Sequence, residues 1–175
     1  MTMRTAKRPA EGDFHSYQGP YVAAVPDGDI VDSLRAQHEA LGALLAGVPD
    51  RRRGHRYAPG KWTIEELMGH VVDIERAFSY RAMCFVRGLA DVEQPGVDQD
   101  LMVPVSGANE RGLDSIAREF DHLRQANIEL FDALGDEQLA IRGHASGIEC
   151  TVLTVLFMIH GHADHHARVL QERYL

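Results

Sequence analysis

A chain of 175 residues, 45% of them hydrophobic and with no run of 18 apolar residues, fits one globular domain and excludes a membrane-spanning protein. A formal net charge of −8, with no basic run beyond the short Arg4–Arg8 and Arg51–Arg53 clusters, excludes nucleic acid as a partner. Two cysteines, Cys84 and Cys150, without a C-x-x-C spacing exclude a disulfide framework and imply a reducing, cytoplasmic setting.

Met1 to Ala10 carries charges with no apolar stretch after them, so no signal peptide is expected. Residues 1–20 read as a flexible lead-in and residues 21–175 as a single domain. The first helical periodicity covers about 29–47. Ile30, Leu34, Leu41, Leu44, Leu45 and Val48 share one face, and Gly47 and Pro49 stop it. The second helix has the clearest start. Thr63 to Glu66 is a capping box, in which the Thr63 hydroxyl accepts the Glu66 N–H and the Glu66 side chain reaches back. Trp62 and Leu67 flank it as a hydrophobic staple. Val71, Ile74, Phe78, Ala82 and Phe85 carry the stripe on towards Gly88.

Residues 89–112, with Pro95, Gly96, Pro104 and Gly107, read as a long loop of the kind a compact domain keeps for function. A third helix is predicted over about 113–134 on Leu113, Ile116, Phe120, Leu123, Leu130 and Leu134, with Gly135 as its cap. Residues 136–150 read as a connection with one short helical turn. The fourth helix covers about 151–173. Four amphipathic helices without a convincing strand run predict an all-α fold, a four-helix bundle with a long connection between helices 2 and 3.

Ten histidines are many for this length, and four of them fall between His160 and His166. At about 100° per residue, Val152, Val155, Ile159, His162, His166 and Leu170 share the core-facing side of the last helix. His160 and His165 point off to its two sides. The i, i+4 spacing of His162 and His166 puts both imidazoles on one face a turn apart, the spacing by which one helix clamps a metal with two ligands. Two core histidines satisfied by hydrogen bonds are the competing reading. Each buried ring, however, brings two polar nitrogens that need partners, and a metal satisfies one on each. Ala163 stands where a zincin has its glutamate, so that built-in base is absent. Spacing leaves the third ligand open between His70, which flanks the stripe of the second helix with Asp73 and Arg81, and His38 on the first. His122 faces outward. Cys84 and Cys150 read as packed thiols, although Cys150 precedes a helix whose dipole favours a thiolate.

The string Trp62-Thr-Ile-Glu-Glu-Leu-Met-Gly-His70-Val-Val-Asp73, the Tyr80-Arg81 pair and the closing Gly161-His162-Ala-Asp-His165-His166 resemble the DinB family of bacterial four-helix-bundle proteins. Tyr57 to Trp62 and Glu172 to Leu175 resemble one branch of it. The resemblance spans about residues 30–175. It implies a metal site of His70, His162 and His166 holding one divalent ion, zinc or nickel, and a homodimer acting on a small molecule, with no membrane or nucleic-acid partner. The implied activity is a metal-dependent transferase using a low-molecular-weight thiol on a small electrophile.

Two alternatives stay open. One is a metal-dependent hydrolase acting through metal-bound hydroxide, for which no general base stands out. The other is a non-catalytic metal- or ligand-binding protein. Three histidines leave coordination positions free, the pattern of a catalytic metal. Asp73 or Asp164 is expected to orient an imidazole or to stay in solvent. Arg81 is expected to contact a substrate carboxylate or to pair with Asp73. Asp98-Gln-Asp100 borders the pocket or lies in a solvated loop. A cationic lining above the metal would favour an anionic thiol; an apolar one would not.

Overall fold

Side-chain caps set where three of the four long helices begin. The structure is a computed structural model and describes residues 8–175; residues 1–7 of the expected lead-in lie outside the described residues. A 3₁₀ turn at Ser16–Gln18 runs into α1 (Gly19–Ala24). The next helix, α2 (Ile30–Ala46), starts at Asp29, whose carboxylate accepts the N–H of Val31 at 2.8 Å and of Asp32 at 3.2 Å. After the single turn α3 (Asp50–Arg53), α4 (Ile64–Cys84) opens with the expected capping box. Thr63 Oγ1 accepts the Glu66 N–H at 3.0 Å, and Glu66 Oε2 accepts the Thr63 N–H at 2.8 Å. A π-helical turn, Phe85–Leu89, ends it at Gly88.

The long connection contains α5 (Gln99–Met102) and α6 (Ala108–Arg111) and leads to α7 (Leu113–Asp132). The segment after α7 holds α8 (Asp136–Leu139) and a hairpin of β1 (Arg142–Ala145) and β2 (Ile148–Thr151). Finally α9 (Val152–Val169), capped by Thr151 Oγ1, passes into a π-helical turn at Leu170–Tyr174.

Helices α2, α4, α7 and α9 form a four-helix bundle. Both α4 and α2 pack against α7 and α9. The consecutive helices α2 and α4 therefore stand on one diagonal and α7 and α9 on the other. The chain crosses an end of the bundle twice, through residues 47–63 and 133–151.

The hairpin is a departure from the sequence expectation, which allowed residues 136–150 one helical turn. Arg142 pairs with Thr151 and Ala145 with Ile148. Ser146 (φ 56°) and Gly147 (φ 72°) supply the two positive-φ positions of a two-residue hairpin turn. Part of the expected lead-in is packed as well: Gln18 is buried, and α1 lies along α9.

The apolar core falls into two clusters. One gathers Val31, Leu34, Phe131, Leu156 and Phe157 near α1 and the hairpin. The other gathers Leu41, Leu67, Val71, Ile116, Phe120 and Leu170 at the opposite end. A polar layer separates them. Arg124, 0% exposed, donates from Nε and Nη2 to the two oxygens of Glu75, at 2.7 Å each, and from Nη1 to Gln37 Oε1 at 2.8 Å. Gln37 Nε2 in turn donates to His160 O at 2.8 Å and Asp164 Oδ1 at 2.7 Å. Such a charge pair is tolerated in a core because each lone pair and N–H finds a partner. Among the described residues, no helix is long and apolar enough to cross a membrane.

Candidate metal centre

His70 lies two turns into α4, at a depth fixed by the Thr63 cap. His162 and His166 lie one turn apart on the facing side of α9. The bundle brings the three rings together. His70 Nε2 and His166 Nε2 each stand 3.1 Å from His162 Nε2, and the three ligand atoms all lie within 4.8 Å of one another.

Two devices hold this arrangement. Trp62, just before the cap, lays its ring 4.8 Å from that of His70 and 6.5 Å from that of His166. The Trp62 carbonyl accepts the Tyr174 hydroxyl at 2.7 Å, which ties the end of α9 to the start of α4. On the other side, Gly161 lets α1 approach: a Cβ there would collide with the Tyr21 carbonyl. The Tyr21 ring then lies 6.2 Å from that of His162, and Phe78 meets the same ring at 6.3 Å.

The donor set suits a divalent cation. Burial lowers the His70 pKa to about 4. Burial, with His70 and His165 adding, lowers that of His166 to about 3. Burial, then His166, His70 and His165, holds His162 well below the usual range. All three rings are thus neutral at pH 7, with lone pairs free to ligate. Two ligand nitrogens at 2.0–2.1 Å from one ion stand about 2.9–3.3 Å apart for right-angle to tetrahedral geometry, and 3.1 Å lies in that span. Hydrogen bonding alone serves the cluster less well. His162 Nε2 faces two neighbours with either one N–H or one lone pair, so it cannot donate to both. His166 Nδ1 is also buried without a partner among the described residues.

The other candidates go elsewhere. The His38 Nε2 lies 2.7 Å from Asp121 Oδ1 on α7, away from the cluster. His122 is exposed, as expected. His160 and His165 stay outside the cluster: His160 is buried against Gln37, while His165 is exposed. Asp73 does not back an imidazole. It lines a different cavity with Gly69, Arg111 and Glu119, and Arg76 stands 3.9 Å from its carboxylate. Asp164 serves Gln37 rather than the three rings. The expected Arg81–Asp73 pair does not form, because Arg81 Nη2 donates to Pro95 O at 2.7 Å and Ser146 Oγ at 2.9 Å. Cys150 lies in β2, ahead of the helix start; burial raises its pKa, so no thiolate is favoured.

A cavity of about 340 Å³ opens beside His166. Trp62, Tyr57 and Tyr174 give it aromatic walls, and Lys61, Gln99 and Asp100 give it polar ones. The Asp98 carboxylate accepts the N–H groups of Asp100 and Leu101, starting the turn that brings Gln99 and Asp100 to the cavity. Trp62 was legible in the sequence as a staple and as part of the family resemblance, but not as a neighbour of His70. Tyr21, Phe78 and Gly161 gave no separate signal, because their role comes from the packing of α1 and α4 against α9.

The family model of the DinB superfamily matches residues 33–170. No curated protein matches the chain at a significant level. Among solved structures, YfiT from Bacillus subtilis, described as a probable metal-dependent hydrolase with an unusual four-helix bundle topology, is similar with a TM-score of 0.71. The match covers 94% of this chain and 90% of that one at 14% identity. At that identity the likeness speaks for the fold.

Proposed function

The chain belongs to the DinB superfamily, and on that premise we propose that it is a divalent-metal-dependent hydrolase of small molecules, with His70, His162 and His166 as the metal ligands. The convergence of three neutral imidazole nitrogens is the observation that carries this proposal. Zinc and nickel both suit three imidazoles. A divalent ion held there supplies a Lewis acid that acidifies water or a thiol and polarises a carbonyl.

The chain's own residues divide the remaining work. Trp62 and Tyr21 hold the imidazoles in orientation and keep water from their flanks. Asp100, an exposed carboxylate on the wall of the cavity beside His166, is the group we assign to take a proton from a nucleophile. YfiT, similar in fold, is described as a probable metal-dependent hydrolase, which favours the same chemistry.

Thiol transfer stands second. Among the described residues, Lys61 is the one ammonium on the cavity wall and shares it with Asp100; a lone cation so placed gives an anionic thiol little to bind. Cytoplasmic residence and a homodimer belong to the same proposal; two buried cysteines without a disulfide suit a reducing compartment.

The test has two parts. Elemental analysis of purified protein should find about one divalent ion per chain, lost in His166→Ala; unchanged occupancy in the variant removes the ligand assignment. The metal-loaded protein is then screened on esters, amides and thiol-reactive electrophiles with and without thiol. Turnover without thiol supports hydrolysis, a strict thiol requirement replaces it with transfer, and no turnover at all leaves a binding protein.

A further inference from the structure

Arg81 sits three turns along α4 from His70, with only 8% of its surface exposed. Its two hydrogen-bond partners, the Pro95 carbonyl and the Ser146 hydroxyl, are neutral and both engage Nη2. Among the described residues, Nη1 and Nε donate to nothing, and no carboxylate oxygen comes within ion-pair distance. Glu93 bears on the guanidinium electrostatically, but Glu93 is exposed and its Oε1 accepts the Gly147 N–H at 2.8 Å. A guanidinium largely withdrawn from water without a counter-charge is costly, which is why buried arginines are normally paired; the unpaired nitrogens of Arg81 keep some exposed surface, so a small anion can reach them. The contrast within this bundle is direct: Arg124 has Glu75 on both arms of its fork.

The guanidinium lines a small cavity of about 30 Å³, together with Gln18, Ser146, Cys150, Val155 and Met158. That is room for about two waters, or for one carboxylate-sized group. None of the other polar groups there supplies a negative charge. Burial raises the pKa of the Cys150 thiol and of the Tyr17 phenol, so both stay protonated. The two-residue turn fixes the Ser146 hydroxyl against one edge of the guanidinium and leaves the rest of the fork open. Phe78, under the guanidinium at 5.5 Å, closes the side towards the histidines.

We propose that this cavity binds the carboxylate of a small organic acid, held by the free N–H groups of Arg81 and walled by Val155, Met158 and Phe78. A planar two-oxygen anion matches the fork, a single guanidinium balances a single negative charge, and the volume limits the ligand to a few heavy atoms. The site is separate from the histidine centre and does not depend on a metal being held there.

Calorimetric titration of the full chain with sodium acetate and with formate, at ionic strength held constant by sodium chloride, tests it. Saturable binding of one equivalent is expected in the wild type and in His162→Ala. A loss of at least tenfold in affinity is expected in Arg81→Gln. No saturable heat in the wild type overturns the proposal, as does equal affinity in Arg81→Gln, or chloride competing as well as acetate. If Arg81→Gln does not fold, Ala145→Val decides, since it fills the cavity wall and leaves the guanidinium in place. Retained binding there overturns the proposal and abolished binding supports it. Because His162→Ala carries the metal question, the two proposals fail separately.

Discussion

His70 Nε2 and His162 Nε2 lie 3.1 Å apart although 92 residues separate them, and each is placed by a different device. The Thr63 cap sets how far along α4 His70 stands, and the contact of Gly161 with the Tyr21 carbonyl sets where α1 meets α9 beside His162. The centre is thus a product of helix register on two diagonally connected halves of the chain.

His162 is in contact with both other rings, whereas His165 only borders the cavity. His162→Ala should therefore abolish the rise in melting temperature that zinc gives the chelated wild type, and His165→Ala should keep it. A ligand at a hundredfold excess over its Kd adds about 2.7 kcal/mol to stability, enough to resolve by thermal melting. Equal responses from the two variants would remove His162 from the ligand set.

Trp62 is the chain's single tryptophan, and its ring is 4.8 Å from that of His70. Its fluorescence should report metal directly. Titrating the metal-free protein should change the emission until one equivalent is bound, and His70→Ala should show no such step. A flat signal in the wild type would mean that nothing binds beside Trp62.

The metal-free protein should lose stability in acid sooner than its carboxylates alone would require. The pKa of His70 falls to about 4 and that of His166 to about 3 in the folded state, against about 6.5 when unfolded. The unfolded chain therefore binds protons first. The contribution of these rings is complete above about pH 6.5 and is lost as pH falls towards 4 and 3. Melting temperatures between pH 7 and pH 5 should decline, with a shallower slope in His166→Gln. A profile as steep in the variant as in the wild type would show that the proton uptake lies elsewhere.

Much of this was legible beforehand where local chemistry dominates. The Thr63–Glu66 box, the apolar stripes and the i, i+4 pair His162 and His166 need only nearby residues to make their physical point. The hairpin was not legible because four-residue strands are too short to show alternation; the Ser146-Gly147 pair was the available sign. The fates of Asp73 and Arg81 escaped because a helix wheel gives direction but not neighbour. Asp73 turns to α6 and α7, and Arg81 turns to a hairpin that the periodicity did not foresee. Arg124 carried no signal in the sequence, since only the assembled bundle supplies its Glu75 and Gln37.

Glu75→Gln should be among the most destabilising polar substitutions in the chain. It keeps the side-chain shape but leaves Arg124, 0% exposed, without its counter-charge. Breaking one side of a buried pair costs about 3–5 kcal/mol, whereas replacing both sides by apolar groups is often close to neutral. Urea denaturation should show a large loss for Glu75→Gln and a substantial recovery in the double variant Glu75→Leu, Arg124→Met. A loss under about 1 kcal/mol for the single variant would mean that water reaches the pair.

Two glycine-to-alanine changes separate helix propensity from packing. Gly42 lies in α2 with nothing within 4 Å of where a Cβ would be, so Gly42→Ala should stabilise the protein by up to about 1 kcal/mol. Gly161→Ala gains the same propensity in α9, but its Cβ collides with the Tyr21 backbone, which cannot rotate aside as a side chain can. Overpacking of this kind costs about 1–3 kcal/mol, more than the propensity returns, so the sign reverses. The strain should be relieved by α1 lifting from α9. Hydrogen exchange over residues 19–24 should quicken in Gly161→Ala and stay unchanged in Gly42→Ala. If both variants are stabilised and α1 remains protected, the close approach of Tyr21 to the histidine-bearing turn is not what holds α1 in place.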